Sequence, residues 1–426
     1  MIKNRISIKM QKHGGNNMYN ILIAQSGGPT AAINASLAGV MEQAFATADI
    51  DKVYGGCNGI QGILEDRIVQ LNEQFENKDE NLNKLKCTPA MYLGSCRYKM
   101  KPYTEDATDY DKVLEIFKKY DIGAFFYIGG YDSMDTVDKM SDYVKEHGMD
   151  VKVIGIPKTI DNDLMMIDHT PGFGSAAKYI ATTIREVAMD TYIYNMDTVV
   201  IVEVMGRNAG WLTAASVLAR NNYNVAPHLI YLPEVPFNMD DFVQMVKKNL
   251  FQYHHVIVAV SEGIQDENGK YISASGNAVD KFGHVMLSGT GNVLKNIVSE
   301  RIGCKVRSIE LNVLQRAASH IASATDIAES AELGRNGVRL AMSGNTGVMS
   351  TLIRKSSEPY EVEYSFGDIS KIANAEKKIP REWISSDGTD VTAEMIAYLK
   401  PLVMGEVSVP YKDGIPDYMF DRIRRK

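Results

Sequence analysis

Two spacings of apolar residues alternate along this chain. Short runs are apolar throughout: YNILIAQ (19–25), KVYGG (52–56), GAFFYIGG (123–130), KVIGI (152–156), TVVIVEVMG (198–206), HLIYLP (228–233), HHVIVAVSEG (254–263) and KVRSIEL (305–311). That is the pattern of strands buried on both faces. Between them lie stretches with apolar residues three and four apart. AAKYIATTIREVAMD (176–190) sets Ala177, Ile180, Ala181, Ile184, Val187 and Ala188 on one helical stripe. TDYDKVLEIFKKY (108–120) repeats the scheme and ends on Lys118 and Lys119, where cations favour a helix C-terminus. The alternation predicts an α/β fold with parallel sheets covered by helices on both faces.

Polar and glycine clusters recur where these strands end: SGG (26–28), GGYDS (129–133), PKTIDND (157–163), MGRNAG (205–210) and SEG (261–263). Open parallel sheets bind ligands beyond the carboxyl ends of their strands. The recurrence therefore predicts one shared site.

Each cluster has a plain reading and a chemical one. SGG leads into AAINASLAGVMEQAF, so its amides can face an anion at a helix N-terminus, or it is a tight turn. In GGYDSMDT, Gly129 and Gly130 permit close approach, and Asp132, Ser133 and Asp135 carry oxygens suited to Mg2+. The same residues also suit a helix cap. In PKTIDND, Lys158 and its neighbouring acids are either a solvated ion pair or the parts of phosphoryl transfer to an alcohol. On the second reading Asp161 is the base, Asp163 a metal or orienting carboxylate, and Lys158 a phosphate clamp. Arg207 in MGRNAGW can grip a phosphate with its planar fork, or end a strand at the surface. Arg307 and Arg316 in KVRSIELNVLQR share one element only if it bends.

Other patterns lead nowhere. GFGSAA (172–177) with Glu203 resembles a dinucleotide fingerprint, but MMIDHTP before it is a poor strand and the fingerprint requires strand then helix. His254 and His255 have no ligand partners at metal-binding spacing and are structural. No GxxxxGK[ST] occurs, which excludes an ordinary P-loop.

Composition narrows the classes. The chain has 426 residues, 45% hydrophobic and 23% charged, with a net charge of −7. That charge disfavours general attraction to nucleic acid or an anionic membrane. Four cysteines without a CxxC pair give neither a zinc site nor a disulfide framework, and suit a cytoplasmic location. No apolar run is long enough to span a membrane. Residues 1–17 are basic without an apolar h-region and are expected to be a flexible extension.

SGGPTAAINASL, GGYDSMDT, PKTIDND, VEVMGRNAGWL, SEG and IELNVLQR, in this order and spacing, resemble the phosphofructokinase family over roughly residues 18–350. The resemblance implies two Rossmann-like domains in three α/β/α layers, with the active site in the cleft between them. A phosphoryl-donor domain would comprise 18–172 plus about 315–352. A sugar-phosphate domain would comprise 173–314 plus C-terminal residues, and 353–426 would be an appended surface region. The implied activity is phosphorylation of fructose 6-phosphate at its 1-hydroxyl, a step of glycolysis and gluconeogenesis. Asp161 is implied as the base, with Lys158 and Asp163 beside it. Thr159, Ile160, Asp161, Met205, Gly206, Arg207, Glu262, Arg307 and Arg316 would hold the sugar phosphate, Arg307 across a subunit interface of a homodimer or homotetramer. Gly27, Arg97, Gly130, Ser133 and Lys158 would hold the donor, and Asp132 and Asp163 Mg2+.

Family members that use ATP usually carry glycine at the positions of Lys158 and Asp132; those that use pyrophosphate usually carry lysine and aspartate. A lysine can stabilise departing phosphate, and an aspartate repels an α-phosphate, a clash that typically costs several kcal/mol. Pyrophosphate is therefore the implied donor, with ATP, or a non-catalytic sugar-phosphate-binding relative, as alternatives. The chain departs from the family at Tyr131, the usual metal-ligand position, where a phenol is a poor Mg2+ ligand. It departs again at Thr198, where relatives carry an interface arginine, and at Val313 and the AAS after Arg316.

Overall fold

Each of the eight apolar runs folds as a strand: β1 (Tyr19–Gln25), β2 (Ile50–Gly56), β4 (Ile122–Gly129), β5 (Lys152–Pro157), β6 (Thr198–Val204), β7 (Leu229–Tyr231), β8 (His255–Ser261) and β9 (Lys305–Glu310). Three more complete the sheets: β3 (Ile68–Gln70), β10 (Val348–Ser357) and β11 (Tyr360–Asp368). The structure, a computed structural model, describes residues 19–273, 287–372 and 376–419. The expected extension at 1–17 lies outside them.

The first sheet has the order β11-β10-β5-β4-β1-β2-β3. Its centre is parallel; only β3 and β11, at the two edges, run antiparallel to their neighbours. The second sheet, β7-β8-β6-β9, is parallel throughout. Register places the site. Gln25 pairs with Ile128, and Gly129 with Pro157, so SGG, GGYDS and PKTIDND begin side by side. Val204 pairs with Ser261, which sets MGRNAG beside SEG.

Alternate residues of the central strands feed cores on opposite faces. Ile21 and Ile23 pack with Leu37 and Val40 of the helix Ile33–Phe45. Leu22 and Ala24 pack with Tyr110 and Val113 of the helix Thr108–Lys119. The helix Phe173–Tyr192 buries Ile180 and Ile184 against Val200 and Val202 of the second sheet. It begins just beyond the PKTIDND loop and so carries the chain from one sheet to the other.

The helices Ile33–Phe45 and Ala324–Met342 cross at small residues. A Cβ on Gly39 would lie 1.9 Å from the Ala331 carbonyl oxygen, and one on Gly334 2.2 Å from that of Ser36. Backbone cannot yield as a side-chain tip can. Gly39→Ala should therefore destabilise the fold by about 1–3 kcal/mol, read as a lower denaturant midpoint.

The expectation of an appended surface region at 353–426 is corrected. Strand β11 closes an edge of the first sheet. Met395, Tyr398 and Leu399, spaced three and four apart on the helix Ala393–Leu399, are buried with Phe173 and Trp211. The segment's charge and proline content conceal that short apolar stripe.

Candidate active site

Lys158 leaves β5 directly into the cleft. Its N–H donates to the Gly129 carbonyl at 2.8 Å, which locks the PKTIDND loop to the end of β4. Its side chain is 3% exposed. Gly27 has φ +82°, and a Cβ there would lie 3.0 Å from the Lys158 Nζ, so the ammonium rests against the SGG turn. Burial pulls the Lys158 pKa down to about 8, against the opposing pull of Asp161 and Asp163.

Three residues on, Asp161 accepts a hydrogen bond from the Thr159 hydroxyl at 3.2 Å, while its own N–H donates to that oxygen at 3.1 Å. The bonds fix the carboxylate's direction. Thr159 itself is anchored by its N–H to the Pro171 carbonyl, and Ile160 is buried in the core of the second sheet. Burial raises the Asp161 pKa; Thr159, Lys158, Arg207 and Arg316 oppose it. Asp163 is pushed up to about 7 by burial and then by Asp161 and Glu376, with Lys377 opposing. The Asp161 charge thus reaches Asp163 across the loop.

The second sheet supplies the opposite wall. Gly206 has φ +151°, and a Cβ there would stand 2.7 Å from the Ala209 carbonyl oxygen, so only glycine fits this turn. The Gly206 N–H points at Glu262 Oε1 at 3.4 Å, and the Met205 N–H donates to Gln315 at 3.2 Å. Glu262 is pushed up to about 7 by burial and then by Asp161 and Glu203, opposed by Arg207. The Nε–H groups of Arg207 and Arg316 are both buried without a partner among the described residues. A buried unpaired donor costs about 1–3 kcal/mol, more when charged.

Arg316 stands between the two walls. A Cβ on Gly28 would lie 3.2 Å from its Nη1, and the charges acting on it are Asp161, Arg97 and Glu262. Asp132 opens the helix Tyr131–Glu146 behind its cap residue Gly130, with Lys99 Nζ 4.0 Å from its carboxylate. Ser133 is buried against Gly129, where a Cβ would meet its hydroxyl at 1.9 Å. Lys158, Asp161, Asp163, Asp132, Arg97, Arg207, Arg316 and Glu262 thus act on one another across a single cleft.

One expected site residue, Arg307, stands apart. Arg307 is exposed, 3.3 Å from Asp190 and beside the Tyr194 ring, with none of the cleft residues among those partners. Tyr131 packs on the core of the first sheet, and burial with Asp135, Asp132 and Glu376 raises its pKa, so it stays a neutral phenol. Among the described residues no three His, Cys, Asp or Glu form a metal cluster. A site of one or two carboxylates completed by phosphate oxygens is the arrangement Mg2+ favours; Asp132 and Asp163 both act on the Lys158 ammonium.

The dinucleotide reading fails for a physical reason. The start of the helix Phe173–Tyr192 is occupied by the buried Asp326 carboxylate, which takes the N–H of Gly172 and of Ser175, each at 2.9 Å. Glu203 accepts from the Gly291 N–H at 2.7 Å. His254 and His255 bond Asp197 and the Tyr194 carbonyl. Sequence reasoning missed Glu376 and Lys377. They lie in the segment taken for an appendage, and no motif marks them.

The family model described as Phosphofructokinase matches residues 20–341. The pyrophosphate–fructose 6-phosphate 1-phosphotransferase of Methylococcus capsulatus is 40% identical over 94% of this chain and 95% of its own. That of Halomonas elongata is 39% identical over 93% and 95%. The crystal structure of pyrophosphate-dependent phosphofructokinase from Marinobacter aquaeolei matches with a TM-score of 0.84 and 38% identity, covering 94% of this chain and 95% of that one.

Proposed function

The chain belongs to the phosphofructokinase family, and on that premise we infer that it transfers a phosphoryl group reversibly between pyrophosphate and the 1-hydroxyl of fructose 6-phosphate. It is a phosphotransferase of glycolysis and gluconeogenesis. The observation that carries the reading is the meeting of Lys158 and Asp161 in one cleft with the buried Nε–H groups of Arg207 and Arg316, which have no partner among the described residues.

Asp161 takes the proton of the 1-hydroxyl, and the oxygen attacks the near phosphorus of pyrophosphate. The anhydride P–O bond breaks and phosphate leaves with the electron pair, giving fructose 1,6-bisphosphate. Lys158, beside Gly27, balances charge on the departing phosphate. Thr159 aims the Asp161 carboxylate. Arg97, Gly130 and Ser133 border the donor, while Met205, Gly206, Arg207 and Glu262 hold the sugar. Arg316 lies between donor and sugar and can reach either. A divalent metal, Mg2+ on this reading, would be held by Asp132 and Asp163 and supply positive charge to the phosphoryl oxygens. Arg307 is exposed on a face with Met189 at 72% and Ile193 at 73% exposure. That supports a homo-oligomer in which it serves a second copy's site. Four free cysteines support a reducing, cytoplasmic setting.

The test is a donor comparison with purified protein, fructose 6-phosphate and Mg2+. Turnover with pyrophosphate and none with ATP is expected, and the reverse rejects the donor assignment. Replacing both markers, Lys158→Gly with Asp132→Gly, should then create ATP-dependent turnover in the same assay.

A further inference from the structure

We propose that Lys377 is a positioning residue for this phosphoryl transfer, which fixes the Asp161–Asp163 loop in register with the sugar-side wall. The inference rests on the roles given above to Asp161 and Arg207.

The loop that carries Asp161 is neither helix nor strand. Asn162 sits at its apex in the left-handed region, φ +55°, with its side chain fully buried. Such a conformation persists only when its surroundings over-determine it. Those surroundings are three. The Asn162 amide Nδ2 donates to the Tyr398 hydroxyl at 2.8 Å, and its Oδ1 accepts from the Thr170 N–H at 3.1 Å. The same Oδ1 accepts from Lys377 Nζ at 3.3 Å.

Lys377 does more than complete that set. Its ammonium also donates to the carbonyls of Asp168 at 2.6 Å and Ile167 at 3.2 Å. Its backbone N–H donates to the Asp163 carbonyl at 2.7 Å. Its own carbonyl accepts from Trp211 Nε1 at 2.9 Å, on the helix that directly follows MGRNAG. The preceding residue, Glu376, accepts from Asn208, next to Arg207, at 2.9 Å. One short segment thus ties the stretch just after Asp161, at Asn162, Asp163, Ile167 and Asp168, to the turn that carries Arg207.

The ammonium is held in a poor place for a charge. Burial pulls its pKa down to about 8, with Asp168 and Asp163 opposing and Arg354 adding to the fall. A lysine kept only for packing would be better replaced by an apolar residue of its size. What an apolar residue cannot do is bond Asn162, Ile167 and Asp168 together. The network's termini on Asp161's and Arg207's loops make its function geometric, and displacement of reacting groups by about 1 Å can cost 10²-fold in rate.

The experiment compares Lys377→Met, Lys377→Arg and Asp161→Asn in the full chain, assayed with fructose 6-phosphate, pyrophosphate and Mg2+. Lys377→Met should lower kcat per folded enzyme about 10²-fold, with KM for fructose 6-phosphate within about threefold. Lys377→Arg keeps the charge but not the three bond directions. It should recover about tenfold of that loss without reaching the parent rate. A parent kcat in Lys377→Met overturns the proposal, as does a KM that rises in step with the loss of rate. Should Lys377→Met fail to fold, Lys377→Arg decides: a kcat down about tenfold at unchanged KM and Tm supports positioning, and a parent kcat rejects it. Asp161→Asn separates the premise, since an active Asp161→Asn protein would sink the assigned chemistry whatever Lys377 does.

Discussion

Asp161→Asn should lower kcat by about 10²–10⁴-fold, the usual worth of a positioned general base. The change is nearly isosteric, and the amide oxygen can still accept from the Thr159 hydroxyl now 3.2 Å away. The loop should therefore keep its shape and the protein its Tm. What disappears is the basic carboxylate oxygen assigned to the hydroxyl proton. The sign for the donor is the more discriminating part. Asp161 raises the pKa of both Asp163 and Glu262 and draws on Lys158 and Arg316. Removing its charge lets the two acids ionise more readily. Its loss also lowers the Lys158 pKa, so the comparison belongs at a pH where Lys158 stays protonated; there Lys158 and Arg316 have less compensating negative charge and an anionic donor should bind at least as well. Steady-state kinetics should show KM for pyrophosphate unchanged or lower while kcat falls. An unaltered kcat would exclude Asp161 as the base, and a KM rise that accounts for the whole loss of kcat/KM would make it a binding residue.

The parts legible in the sequence are those that local physics dictates. A strand buried on both faces must be apolar throughout, so YNILIAQ, AFFYI and TVVIVEV declared themselves, and their pairings become the centres of both sheets. Residues at strand ends need polar or glycine chemistry to turn, and parallel register brings those ends together. Hence PKTIDND and MGRNAG could be assigned to one cleft before any contact was known. The edge strand β11 carried a signal too, in the two-residue alternation of YEVEYSF, but its glutamates resembled a solvated surface. Lys377 carried none. Its partners Asn162, Ile167 and Asp168 lie some two hundred residues earlier in the chain, and a lysine beside another lysine ordinarily marks a loop. Arg307 is the converse case. Its neighbouring sequence pointed to the site, yet within this chain it pairs with Asp190.

Lys158→Met should reduce kcat/KM for pyrophosphate by about 10²–10³-fold, the typical loss when one preorganised charge-stabilising donor is removed. The residue's burial makes this prediction sharp. At 3% exposure and against the Gly27 turn, the ammonium is almost wholly withdrawn from solvent. Desolvation has already brought its pKa down to about 8, so the parent enzyme should carry a signature of it. The acting form is the cation. It is present below that pKa and lost as pH rises through it, so kcat/KM for pyrophosphate should fall on the alkaline side with a midpoint near 8. The free-enzyme quantity is the one to measure, since bound pyrophosphate would hold the proton on. Lys158→Met should flatten that limb at a low rate. Lys158→Arg should remove it in a different way, because guanidinium stays charged across the range. Its fork is bulkier than an ammonium, and a single Cβ added to Gly27 would already lie 3.0 Å from the Lys158 Nζ. The arginine variant should thus be slower than the parent at neutral pH, with no fall near pH 8. A parent-like alkaline limb in either variant would assign that titration to another group and reduce Lys158 to a buried structural charge.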